Sequence, residues 1–407
     1  MKFKLKTIAI IMGLIFGSNV MAQTELEKLR SEVDSLNKKA KEWEAFQAPK
    51  DQLQTDVEKL NVKAKEWEEW KTPKTLIHLA GYADVNYIDV EDQPGTFSLG
   101  SFSPIFHFQF ADSFMLEAEL EFEIDEAGAS EAGVDYLTID WFMSDYAMLI
   151  AGKFLSPLGQ FRQNIHPSWI NKMASAPVGF GHDQAAPSAE VGLMVRGSYL
   201  TDSSISLNYS VYIGNGPTLE GNEIGDEIEM IETPGLNQDA DGKKVAGGRL
   251  GIFFPRQKLE FGISAAGGKV SLRTDDGSGG YSYDEARDYN ALGADFNWRI
   301  SNIEFRGEFI QQEIGEQLAS TASEGGKWSA GYLQSSYRFL PSNWEAVLRY
   351  GQYDTPHPSE DLNQTTAGVN YLFASNLVAK LNYEANENPN AGNEASDRIL
   401  VQLAYGF

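Results

Sequence analysis

The chain of 407 residues carries 58 Asp and Glu against 33 Lys and Arg, with no cysteine, 38 glycines and 12% aromatic residues. A formal charge of −25 excludes a nucleic-acid partner, because phosphate binding needs a basic face, and 42% hydrophobic residues are too few for a bundle of membrane helices. Without cysteine there are no disulfides, no thiolate catalysis and no Cys-based zinc site.

Residues 1–22 begin with Lys2, Lys4 and Lys6, continue through an apolar stretch from Ile8 to Phe16, and end in Val20-Met21-Ala22. That layout predicts a secretory signal peptide cleaved before Gln23. An apolar run of about ten residues is too short to span a bilayer core of ~30 Å.

Residues 23–74 change character. Leu26, Leu29, Val33, Leu36, Ala40 and Trp43 are spaced as heptad a and d positions, and after Pro49 the spacing resumes with Leu53, Val57, Leu60, Ala64 and Trp67. The halves repeat 24 residues apart: Ala40-Lys41-Glu42-Trp43-Glu44 matches Ala64-Lys65-Glu66-Trp67-Glu68. Each half holds about three heptads, close to the minimum for an independently stable helix. The spacing predicts a periplasmic coiled coil that zips when several chains meet, ending at Pro73; the alternative is one amphipathic helix packed on its own body.

From residue 75 the period becomes two. Ile399, Val401, Leu403, Tyr405 and Phe407 alternate with Leu400, Gln402, Ala404 and Gly406, and Leu116, Ala118, Leu120, Phe122 and Ile124 alternate with Glu117, Glu119, Glu121 and Glu123. Sixteen strands are predicted near 76–88, 98–110, 114–124, 133–142, 147–154, 189–199, 204–214, 245–254, 258–272, 287–299, 302–313, 327–339, 343–353, 364–373, 376–385 and 397–407. Most are long enough to cross a bilayer at ~45° tilt, and tight turns alternate with long loops. Trp141, Tyr199, Phe254, Trp298, Phe339, Trp344, Phe373 and Phe407 sit beside the tight turns or the chain end, where a membrane interface places aromatic rings. A soluble sandwich has no reason to sort loops and rings this way. The expected fold is all-β: a 16-stranded antiparallel transmembrane β-barrel over 75–407, preceded by a short coiled coil.

The inward face is charged. Glu117, Glu119, Glu121 and Glu123, with Asp84 and Glu190, come from the early strands, and Arg299, Arg306, Arg338, Arg349, Lys380 and Arg398 from the later ones. Facing lipid, each Arg or Lys would cost roughly 2–4 kcal/mol at the midplane, so these chains are expected to line a hydrated pore. Loop 155–188 is the third and longest of the outer loops. It holds Arg162, His166, Lys172 and His182 against Asp183, with Lys153 at its root, and is expected to fold inward as a basic constriction favouring anions. The rival reading has the Glu117–Glu123 ladder neutralise these bases.

The acidic outer loops 215–243 and 125–131 match no calcium-loop spacing, so no metal ligand and no cofactor is assigned. His78, His107, His166, His182 and His357 form no catalytic pattern, and no enzyme is expected. The rival to a channel is a structural or adhesive barrel with a periplasmic spacer and little conductance. A 22-stranded transporter with a plug does not fit the length.

Gly152-Lys153-Phe154-Leu155-Ser156-Pro157-Leu158-Gly159 resembles the strand-to-loop motif of the phosphate-selective porin superfamily, whose members carry Gly-x-Phe-basic-x-Pro there; Leu155 stands at the basic position. The N-terminal segment also resembles the periplasmic coiled coil of some trimeric porins. The resemblance implies a homotrimer of sixteen-stranded channels passing small anionic solutes through the outer membrane of a Gram-negative bacterium, in contact with lipid and lipopolysaccharide.

Overall fold

The computed structural model describes residues 27–39, 58–59, 61–63, 75–125, 127–182, 184–201, 205–222, 224–237, 241–275, 281–390 and 395–407. The expected signal peptide and most of the heptad segment lie outside the described residues. Residues 27–39 form a helix in which Leu29, Val33 and Leu36 are half-buried and the rest exposed. Met1–Leu76 and Ile77–Phe407 form two compact units.

The strands, in chain order, are β1 (Thr75–Val90), β2 (Thr96–Phe110), β3 (Phe114–Ile124), β4 (Ser130–Ser144), β5 (Ala147–Leu155), β6 (Ala189–Leu200), β7 (Ser206–Gly214), β8 (Thr218–Gly221), β9 (Ile228–Glu232) and β10 (Val245–Phe254). They continue as β11 (Leu259–Val270), β12 (Leu272–Asp275), β13 (Tyr281–Tyr283), β14 (Arg287–Ile300), β15 (Ile303–Ile314), β16 (Gly326–Arg338), β17 (Trp344–Asp354), β18 (Leu362–Ala374), β19 (Leu377–Glu387) and β20 (Arg398–Gly406). Sixteen of them close an antiparallel barrel, in which β1 pairs with β20 from Tyr82↔Gly406 to Val90↔Arg398. Closure leaves no unpaired edge, which a strand structure in lipid requires. The expected strands and the observed ones differ by a few residues at their ends, most at β4.

Alternation sorts the side chains. Along β20, Ile399, Val401, Leu403 and Tyr405 are exposed on the outer wall while Leu400, Gln402, Ala404 and Gly406 are buried inside. The tight-turn end carries exposed rings in contact, Phe114 with Trp141, Tyr146 with Tyr199 and Tyr337 with Phe339, and the exposed Trp344 meets the half-buried Tyr371. These form the expected aromatic belt.

Two features were not foreseen. β8, β9, β12 and β13 form a second sheet in the order β13-β12-β8-β9, built from the loops that follow β7 and β11. Alternation over three to five residues is too brief to be recognised along a chain. The second is a register shift between Glu119 and Leu120, where Tyr136 pairs with Glu119 and Val134 with Leu120, which makes Asp135 the extra residue of a bulge.

The barrel is also fuller than a bare hydrated tube. Residues 156–182 and 184–188 run into it through a π-helical turn, Phe161–Ile165. Phe161, Val178 and Phe180 join an apolar cluster with Ile310, Tyr332 and Leu219. Phe180 meets Tyr332 edge-on, with ring centroids 5.2 Å apart at 87°.

Candidate pore constriction

The loop is fastened to the wall by groups that alternation turns inward. Glu308 on β15 accepts the backbone N–H groups of Gln160 (3.1 Å) and Phe161 (3.0 Å). Gly159, at φ +83°, permits this approach, since a Cβ there would lie 1.7 Å from the Glu308 Oε1. Farther along, Arg349 on β17 donates to the carbonyls of Ser175 (3.0 Å) and Ala176 (3.1 Å). Lys380 on β19 donates to the carbonyl of Met173 (3.0 Å) and to Gln402 (2.6 Å), and Gln312 on β15 donates to the carbonyl of Ala185 (3.0 Å). An irregular segment inside a barrel needs partners for its backbone, and these side chains supply them.

The five residues expected at the constriction separate. Lys172 docks on the far wall, 2.9 Å from Glu345 and 3.7 Å from Glu304. His166 faces the near wall, with Nε2 3.8 Å from Glu119. The Arg162 side chain is half-buried beside it, and His182 is exposed. Lys153 is a correction: it pairs with Leu137 on one side and Val191 on the other, on the register whose neighbours face outward, and its ammonium donates to the carbonyl of Val134 at 2.6 Å. Gly-x-Phe spacing alone did not reveal that parity. Asp183 lies outside the described residues.

The expected lining residues do fall on the inward register, but most are held. Arg306 and Arg299 both pair with Glu304, and Arg398 pairs with Glu384. Arg349 and Lys380 are buried against the loop rather than bathing the pore, because the loop covers them. Arg338 lies at the end of β16, half-exposed. On the acid wall Glu117 contacts His107 at 3.1 Å and accepts from Tyr136, while Glu119 accepts from Tyr82 at 2.7 Å. Glu121 is half-buried and Glu123 exposed. Asp84 is buried and accepts from Gln402 at 3.1 Å; Glu190 is buried and accepts from the N–H of Gly216 at 3.2 Å.

Beneath the loop, on the tight-turn side, a cavity of about 700 Å³ is lined by Arg196, Arg249, Arg306, Glu260, Glu308 and Asn164, among others. Arg249 is engaged by Asp295 (2.6 Å) and Glu260 (3.1 Å). Among the described residues, no hydrogen bond or ion pair engages the half-buried Arg196 guanidinium. Sequence reasoning missed Arg196, although the alternation of Met194, Arg196 and Ser198 in β6 carries the signal.

Residues 256–407 match the family described as phosphate-selective porin O and P. No protein of curated function matches the chain by sequence. Among solved structures, the chain is similar to an anion-selective porin from Comamonas acidovorans, with 13% identity and a TM-score of 0.56 over 82% of this chain and 100% of that one. It is similar to the outer membrane channel DcaP of Acinetobacter baumannii, with 10% identity and a TM-score of 0.54 over 83% and 98%. It is also similar to the trimer form of OmpT, an outer membrane protein of Vibrio cholerae, with 13% identity and a TM-score of 0.51 over 82% and 99%. A closed barrel with a lipid-compatible outer wall, a charged interior and a C-terminal part that matches this family mark the chain as a porin of the Gram-negative outer membrane, a channel for the diffusion of solutes.

Proposed function

We propose that this porin passes small hydrophilic solutes with a preference for anions, and that Arg196 carries the preference. One observation bears the weight. Lys172, Arg249, Arg299, Arg306 and Arg398 each have a carboxylate partner, whereas the Arg196 guanidinium faces the cavity without one among the described residues. A paired charge presents little net field to a passing ion; Arg196, on which Asp140 acts through space without a direct contact, keeps more of its own. At ~4 Å in water a unit charge is worth about 1 kcal/mol, which is roughly fivefold in occupancy. The bases of loop 155–188 then serve mainly to dock it, and the narrowing they produce sets solute size. The anion-selective Comamonas porin, which shares the fold, agrees with this reading.

The reversal potential across a potassium chloride gradient tests it. The parent channel should favour chloride, and Arg196→Glu should lower the chloride-to-potassium ratio by roughly fivefold or more. A parent channel without anion preference, or an unchanged ratio in Arg196→Glu, refutes the proposal.

Assembly as a homotrimer belongs to the same reading. The heptads of residues 23–74 would hold three chains together on the periplasmic side after the signal peptide is removed. Deleting residues 24–72 should weaken the trimer on unheated gels while leaving the barrel folded; loss of the folded barrel itself contradicts this.

A further inference from the structure

Where the loop meets the acid wall, three side chains from three elements converge: Glu119 on β3, Asp135 at the bulge of β4, and His166 just after the π-helical turn. One ligand atom from each lies within 4.8 Å of the others. Glu119 is almost wholly buried, at 1% exposure, and the Nε2 atom of His166 is buried with no hydrogen-bond partner.

The tautomer of His166 is the informative detail. Its Nδ1 lies against the carbonyl of Arg162, which can only accept, so Nδ1 carries the proton and donates. In the neutral ring, Nε2 then presents a lone pair to two carboxylates. At 3.8 Å from Glu119 it is also beyond hydrogen-bond reach. A lone pair and two carboxylates facing one point make an electron-rich pocket that a cation would stabilise.

The surroundings have the form of a metal site's outer shell. Imidazoles that bind metals through Nε2 typically donate Nδ1–H to a carbonyl, as His166 does to Arg162, and ligating carboxylates are themselves hydrogen-bonded, as Glu119 is by Tyr82 at 2.7 Å. Lys153 and His182 are the other bases near enough to act on Asp135. Glu121 also hydrogen-bonds Asp135, and none of these three groups belongs to the converging triad.

We propose that Glu119, Asp135 and His166 bind a divalent transition-metal cation of the zinc class, and that the bound ion pins the constriction loop to the β3–β4 wall. One nitrogen and two oxygens form the kind of three-ligand set that leaves a zinc ion an open position. Because His166 belongs to the loop and the carboxylates to the barrel, occupancy couples a metal to the width of the channel.

The test uses the full chain refolded in detergent, stripped with EDTA and dialysed, with heat-dependent gel mobility confirming the folded barrel. Titration with zinc chloride should give one tight site per chain. His166→Gln and Asp135→Asn should each weaken it by at least about 100-fold, and Tyr82→Phe, which spares every ligand, by about tenfold. Zinc at saturating concentration should also alter single-channel current in the parent but not in His166→Gln. His78 and His107, whose ring nitrogens lie 3.3 Å apart, are the competing location. The proposal is overturned if the parent binds no zinc, or if binding survives His166→Gln and disappears in His107→Gln. Should His166→Gln fail to fold, an undiminished affinity in Tyr82→Phe overturns it equally.

Discussion

Leu348 and Arg349 are bonded neighbours on β17, yet Leu348 is 53% exposed on the outer wall while Arg349 is 1% exposed inside, with its guanidinium on the carbonyls of Ser175 and Ala176. One peptide step crosses from the lipid side to the interior. The step is possible because successive strand side chains point to opposite faces and because the loop that buries the cation also brings it carbonyls, beside Gln364 and Glu384 on the wall.

Exchanging the character of that outer position tests the assignment of the two faces. Leu348→Arg should lower barrel stability in lipid by roughly 2–4 kcal/mol if it sits near the midplane. Urea unfolding in vesicles measures this. A neutral result means Leu348 does not face hydrocarbon.

Lys172 and Glu345 should behave as a coupled pair. Lys172→Met alone, or Glu345→Gln alone, should destabilise the folded barrel by about 1–3 kcal/mol, less than for a fully buried pair because Lys172 keeps some water contact. The double variant should lose less than the sum of the two. Both single variants should also show larger or noisier single-channel currents as the loop loosens. Additive losses with unchanged currents count against docking at this point.

Gly159 should tolerate no side chain. Alanine would require a left-handed backbone, at a cost of roughly 1–2 kcal/mol, and its methyl would displace Glu308 from the N–H groups of Gln160 and Phe161. Gly159→Ala should lower the unfolding temperature and raise conductance. Glu308→Gln, which keeps an acceptor for only one of the two N–H groups, should loosen the loop in the same direction without the backbone strain.

The small outer sheet is held by Arg273, which pairs with Glu220 (3.1 Å) and Glu232 (2.9 Å) and lies over the ring of Tyr281. Burial works against its charge, and these carboxylates more than compensate, so its pKa stands above the ordinary arginine value. Partly exposed pairs are each worth about 0.2–1 kcal/mol. Arg273→Ala should therefore leave the barrel's stability nearly unchanged while speeding protease cleavage within 215–244. Raised salt should have the same effect on the parent, though a weaker one. Unchanged cleavage in both would show that other contacts hold the sheet.

The predicted and observed strands agree because alternation is a local property. Whether Leu403 faces lipid and Gln402 the interior is settled within a few residues of each, and closure follows once every strand must pair. The sorted turns and their rings were legible for the same reason. Partnership was not. Nothing near Lys172 in the chain announces Glu345, 173 residues on, and nothing near His166 announces Glu119. The bulge at Asp135 adds one residue to β4 and turns an acid inward, and the parity of Lys153 depends on pairing with Leu137 and Val191. The sequence by itself determined an inside-out barrel with charged interior and greasy exterior, since that depends on side-chain period alone. Only the tertiary structure decided which charges remain available to a solute, because neutralisation depends on distances between residues that meet across the lumen.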